Sequence, residues 1–194
     1  MVSEDRINLL ARLAKSPHAT VTITEGTDEP STRDASILTL AAASYGSRPA
    51  EEATIPTGFD PFAAALFESI VEGAFLVACA DGIFDDEERR TFTRVVTVAC
   101  GGAVPPQHID SLISDLEDQL AEDGLDRRLE MLSAPIQRPE HAGEVLRVAA
   151  LLAQCSEDVN DAERDVLEKL ATACKLGPGA VDHALADVRA ALGA

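Results

Sequence analysis

The chain is expected to be all-α, a compact multi-helix bundle with an internal repeat of helical hairpins. Three observations point there. Alanine and leucine dominate an apolar fraction of 46%, with 4% aromatics and no Trp. Both are good helix formers, and small side chains suit close helix packing. Apolar residues recur at helical spacing through most of the 194 residues. Proline and glycine fall between those stretches, where they stop one helix and open the next. A chain of this length fits one domain or two small ones, and it buries about 70% of its unfolded surface without a staple.

The elements follow in order. A first helix is expected over residues 4–15, with Ile7, Leu10, Leu13 and Ala14 as its apolar stripe. Residues 16–31 mix Thr, Gly, Pro and acids. "TVTITEG" alternates with the period of a strand, but a single strand has no evident partner, so the stretch is counted with the loops. A helix resumes at Asp34 and runs through "ASILTLAAASYG". Gly46, Pro49, Pro56 and Gly58 then mark a linker. Residues 1–58 therefore read as N-terminal helices with flexible loops, packed on the bundle or reaching to a partner.

Residues 59–194 read as the main helical domain. Asp60 caps a long apolar helix and Pro61 takes its first position. That helix runs to about Cys79, with Ile70, Val71, Ala74, Val77 and Ala78 on its buried face. A second helix spans Asp86 to Cys100 and stops at Gly101-Gly102. Pro105-Pro106 open the next, whose Ile109, Leu112, Ile113, Leu116 and Leu120 keep helical spacing until Gly124. A short helix or turn covers 125–133 and ends before Pro135. Three helices close the chain, at about 139–155, 161–175 and 179–192.

A shift of 75 residues aligns two parts of the domain without a gap. "LVACADGIFDDEERRTF" at 76–92 meets "LLAQCSEDVNDAERDVL" at 151–167. Asp86, Glu88 and Arg89 meet Asp161, Glu163 and Arg164, while Phe84 meets Val159. The repeats span about 59–133 and 134–194, and each carries one helix-loop-helix hairpin. Asp85 with Glu88, and Asn160 with Glu163, stand at capping-box spacing. Acids in the first turns also favour the positive end of the helix dipole. Phe84 and Val159 are expected to reach from the loops into the core.

The formal charge is −18, from 16 basic and 34 acidic residues. That field excludes nucleic acid and anionic membranes as partners, and it leaves cations, basic peptides or a basic protein surface. The four cysteines, Cys79, Cys100, Cys155 and Cys174, form no CxxC and no Cys-His cluster, so they read as reduced core residues of a cytoplasmic protein, with a disulfide as the alternative that an even count permits. No signal peptide is evident, and Gly73–Ala80 is too short to span a bilayer. His18, His108, His141 and His183 form no spaced pair. There is no nucleophile elbow, phosphate loop or dinucleotide fingerprint.

An apolar helix ending in "ACADG", then Phe84, then "DDEE" opening a second helix resembles the tellurite-resistance TerB-like family. "AQCSEDVNDAERDVLEKLATACKLG" is similar to the same hairpin in weaker form. The resemblance covers about residues 59–193. It implies an all-helical, internally pseudo-symmetric fold and an association with tellurite and stress response. It also implies divalent-cation binding through acids of the hairpin loops. Carried over, Asp81 and Glu88 become ligand candidates, with Asp85 nearby and Glu163 matching Glu88. The second hairpin departs from the pattern, because Ser156 replaces Asp81 and Glu157 replaces Gly82.

The residues themselves leave two readings of the loop open. Asp81, Asp85, Asp86, Glu87 and Glu88 supply the oxygens that calcium or magnesium takes, though not in an EF-hand frame. The same residues serve equally as helix caps and solvated charges. The function expected is an acidic, non-enzymatic binding or scaffold module with a protein partner. The alternatives are a self-associating structural subunit, docking another copy through Tyr45 and Phe59, and a metal-dependent hydrolase built on the acidic loops.

Overall fold

The computed structural model describes residues 3–16, 21–23, 31–33, 36–47, 59–82, 84–154 and 159–193. The expected Asp34 start, and Cys155, Ser156, Glu157 and Asp158 of the second loop, lie outside the described residues. The described residues form nine helices and one two-stranded ribbon.

α1 (Glu4–Lys15) is capped by Ser3, whose Oγ accepts from the Arg6 N–H. It buries Ile7, Leu10, Ala11 and Ala14. β1 (Val21–Ile23) pairs antiparallel with β2 (Ser31–Arg33), Val21 opposite Arg33 and Ile23 opposite Ser31. This corrects the expectation of a loop. The alternating segment does find a partner, in the polar triplet "STR", which carries no strand periodicity of its own. α2 (Ile37–Gly46) starts with Ser36 as cap, its Oγ accepting from Thr39 N–H.

α3 (Pro61–Ala78) is the axis of the bundle. Asp60 caps it, its Oδ1 accepting from the Phe62 N–H at 2.9 Å. α3 is apolar almost all round and is buried from Ser69 to Val77. It is the one described helix long and apolar enough to cross a membrane, and 67% of it is enclosed by the rest of the fold. α7 (Pro139–Ala153) runs against it, with α2 packed on another side. Their approach depends on Gly73, where an added Cβ would come within 3.0 Å of Val145 and 3.4 Å of Leu170.

α4 (Asp86–Ala99), α5 (Pro106–Asp123), α6 (Leu125–Ser133), α8 (Asp161–Ala173) and α9 (Ala180–Leu192) surround this pair. α4 packs on α1 and α5, α8 on α3, α6 and α7, and α9 on α7 and α8. One continuous apolar core joins residues of all nine helices.

Two ion pairs lie inside it. Arg128 of α6 donates from Nε to Glu72 of α3 at 2.7 Å and from Nη1 to Asp123 at 3.1 Å. Arg147 grips the fully buried Glu144 with two bonds of 2.7 and 2.9 Å. Such pairs are tolerated in a core because each charge is both countered and hydrogen-bonded. The Ser69 hydroxyl bridges to the Leu132 carbonyl at 2.9 Å and so ties α3 to α6.

Candidate functional site

The first of the two acidic loops joins α3 to α4. Cys79 ends α3, and a turn follows in which Gly82 N–H donates to the Cys79 carbonyl at 3.0 Å. Gly82 has φ 81°, a left-handed conformation that glycine adopts without a Cβ penalty. The chain then dips inward at Phe84. Its ring meets Phe75 edge-on at 5.4 Å and Phe92 at 6.0 Å. This anchor fixes where α4 begins.

Asp85 caps α4, its Oδ1 accepting from the N–H groups of Glu87 (2.8 Å) and Glu88 (2.9 Å). Glu88 Oε2 accepts in return from Asp85 N–H at 3.0 Å. Both halves of a capping box are therefore made. The start of α8 carries the same chemistry. Asn160 Oδ1 accepts from Glu163 N–H and Glu163 Oε2 from Asn160 N–H, both at 2.9 Å. Val159 packs against the core just before it, as Phe84 does in the first hairpin.

The two boxes differ in burial. Asp81, Asp85 and Glu88 are exposed, while Glu163 is 7% exposed. Burial pushes the Glu163 carboxyl above its ordinary range, and the negative charges of Asp81 and Glu88 push it further. The Asn160 N–H offsets part of that rise. Hence Glu163, at the start of α8, feels the charges of Asp81 and Glu88, which lie beside the start of α4 and far from it in sequence. Asp85 spends its Oδ1 on the α4 N-terminus. The Cys79 thiol lies in the same region. Burial, then Glu117, Glu88 and Asp81, raise it to about 12, which keeps it protonated.

Three carboxylates are a hard-oxygen donor set, suited to calcium or magnesium rather than zinc. In their present arrangement, no group of three or more His, Cys, Asp or Glu side chains among the described residues stands at metal-holding separation. The capping bonds of Glu88 and Glu163 hold one oxygen of each toward its own helix. Repulsion among the acids opposes closer approach.

The buried charges Glu72, Arg128, Glu144 and Arg147 lie outside the residues expected to form a site. An acid within an apolar run, as in "SIVEGAF", was the available signal. Tyr45 stacks on Phe67 within the chain at 4.8 Å. Cys79, Cys100 and Cys174 are free thiols, each at the residue that ends a helix. Comparison of the chain with family models, curated proteins and solved structures gives no match.

Proposed function

We propose that this chain is an acidic, non-enzymatic binding module of the TerB-like type, which takes up a divalent cation, calcium or magnesium, between two helical hairpins. In this reading α3–α4 and α7–α8 are two copies of one hairpin within residues 59–194, and residues 1–58 pack on them. Asp81, Glu88 and Glu163 are the ligands, and Asp85 shapes the loop. The module works in the cytoplasm, in stress or tellurite response, and presents its acidic surface to a protein partner.

The observation that carries the proposal is the environment of Glu163. A nearly buried carboxylate lies within the negative field of two further acids, Asp81 and Glu88. That arrangement costs free energy in the cation-free chain, and a bound cation relieves it. Binding would also clamp the hairpins together and change the surface offered to a partner.

The test is calorimetric titration of metal-free chain with calcium, magnesium, manganese and zinc, with melting followed alongside. Saturable binding of calcium or magnesium near one equivalent is expected, lost in Asp81→Ala and Glu163→Gln. A cation at about 100 times its Kd adds roughly 2.7 kcal/mol of stability. No heat and no melting shift up to millimolar cation, or equal responses in variants and parent, would overturn the proposal.

A further inference from the structure

A groove of about 590 Å³ runs between α6 and α8, away from the hairpin loops. Leu129, Ala173, Ser133 and Thr172 are among the residues that line it. The two hydroxyls are occupied, donating to the carbonyls of Glu130 and Glu168 at 2.9 Å each. The rim charges are mostly spoken for. Lys169 pairs with Asp126 at 2.8 Å, Glu130 pairs with Arg127, and Glu168 lies 3.9 Å from Arg164.

Lys175 is the exception. It makes no ion pair among the described residues, in a chain with an excess of acids and three lysines in all. Its backbone is also unusual. Lys175 has φ 58°, the one non-glycine left-handed residue described. It occupies the glycine position of a Schellman ending. Lys175 N–H donates to the Thr172 carbonyl, and Leu176 N–H to that of Ala171. α4 also ends on a left-handed residue, its N–H donating to the Val98 carbonyl, but there the chain places Gly101, at φ 60°. A lysine in this conformation carries a steric cost that Gly101 avoids. Lys175 is also one of the residues lining the groove.

We propose that the α6–α8 groove binds a small amphipathic carboxylate, its apolar body on Leu129 and Ala173 and its carboxylate on the Lys175 ammonium. Among the charged residues of the lining, Lys175 is the cation without an acidic partner, and Leu129 and Ala173 supply apolar contact beside it. The unpaired cation selects an anionic head group against the negative field of the whole chain. Binding is therefore expected to weaken with salt.

The experiment titrates the full chain with octanoate, with octanol as the uncharged control, following methyl resonances of Leu129 and Ala173 by NMR. Lys175→Gly removes the ammonium and relieves the backbone, so this variant is expected to melt higher than the parent. It should bind octanoate roughly tenfold more weakly. Saturable octanoate shifts at both methyls, weakened in Lys175→Gly, support the proposal. It is overturned by equal octanoate affinity in parent and Lys175→Gly, by octanol binding as tightly as octanoate, or by no saturable shift up to millimolar octanoate.

Discussion

The guanidinium of Arg6, on α1, donates to the backbone carbonyl of Gln154, the residue that ends α7, at 2.6 Å. The favour is returned at the other end of the same helix pair. Arg147 of α7 donates to the carbonyls of Leu13 and Ala14 at 3.0 and 2.9 Å. Each helix thus caps the C-terminus of the other, where unpaired carbonyls and the negative end of the dipole attract a cation. The N-terminal helix is bound to the bundle by polar chemistry as well as by Ile7, Leu10 and Ala14.

Arg147 is the more critical cap, because Glu144 depends on it. Arg147→Ala would leave a carboxylate that is 1% exposed without its cation and strip the end of α1. The expected loss is about 3–5 kcal/mol in urea unfolding. Replacing Glu144 and Arg147 together by leucine should cost less, since no buried charge is then stranded. A double variant less stable than Arg147→Ala would contradict this account.

Gly46 gives a prediction whose sign runs against helix propensity. Alanine normally gains up to about 1 kcal/mol over glycine within a helix. Here an added Cβ would sit 1.8 Å from the Ala103 carbonyl oxygen and 2.9 Å from its carbon. Both are backbone atoms, so the end of α2 or the loop after α4 must move. Gly46→Ala is expected to lower stability by roughly 1–3 kcal/mol. Chemical denaturation showing a gain would mean that the two segments do not touch in solution.

Local chemistry made much of this fold legible in the sequence. Asp60-Pro61, the Asp85/Glu88 and Asn160/Glu163 spacings and the Gly101-Gly102 stop act within a few residues, and each appears where its pattern stands. Long-range features were not legible. β2 is three polar residues that become a strand through Val21–Ile23. The Glu72–Arg128 pair joins residues 56 apart in sequence, and nothing near either one names the other. Lys175 gives no hint of a left-handed backbone. The effect of Asp81 and Glu88 on Glu163 depends on long-range packing, and no local pattern in the sequence names it.

Phe84 tests the anchor of the first hairpin. A fully buried phenylalanine cut to alanine costs about 3–5 kcal/mol, the value expected from sequence if Phe84 were buried. The residue is in fact half-buried, with Phe75 and Phe92 at its edges. Phe84→Ala should therefore cost roughly 2–3 kcal/mol in denaturant unfolding. A loss under about 1 kcal/mol would place the ring outside the core.

Glu163 makes stability depend on pH in a definite direction. Its folded-state pKa lies above the ordinary 4.5, through burial first and then the charges of Asp81 and Glu88. The folded chain holds this proton more tightly than the unfolded chain does. The contribution is fully present below the unfolded pKa and is lost as pH rises through the folded value. Glu163→Gln keeps an oxygen for the Asn160 N–H and removes the charge. In cation-free buffer the variant should be more stable than the parent at pH 7, by roughly 0.5–1 kcal/mol. The difference should shrink toward zero as pH falls below about 4, where Glu163 is protonated in both states. Urea unfolding of both proteins across that range checks it. A variant less stable than the parent at pH 7 would mean that the carboxylate stabilises the cation-free fold, and that the acids around it do not strain it.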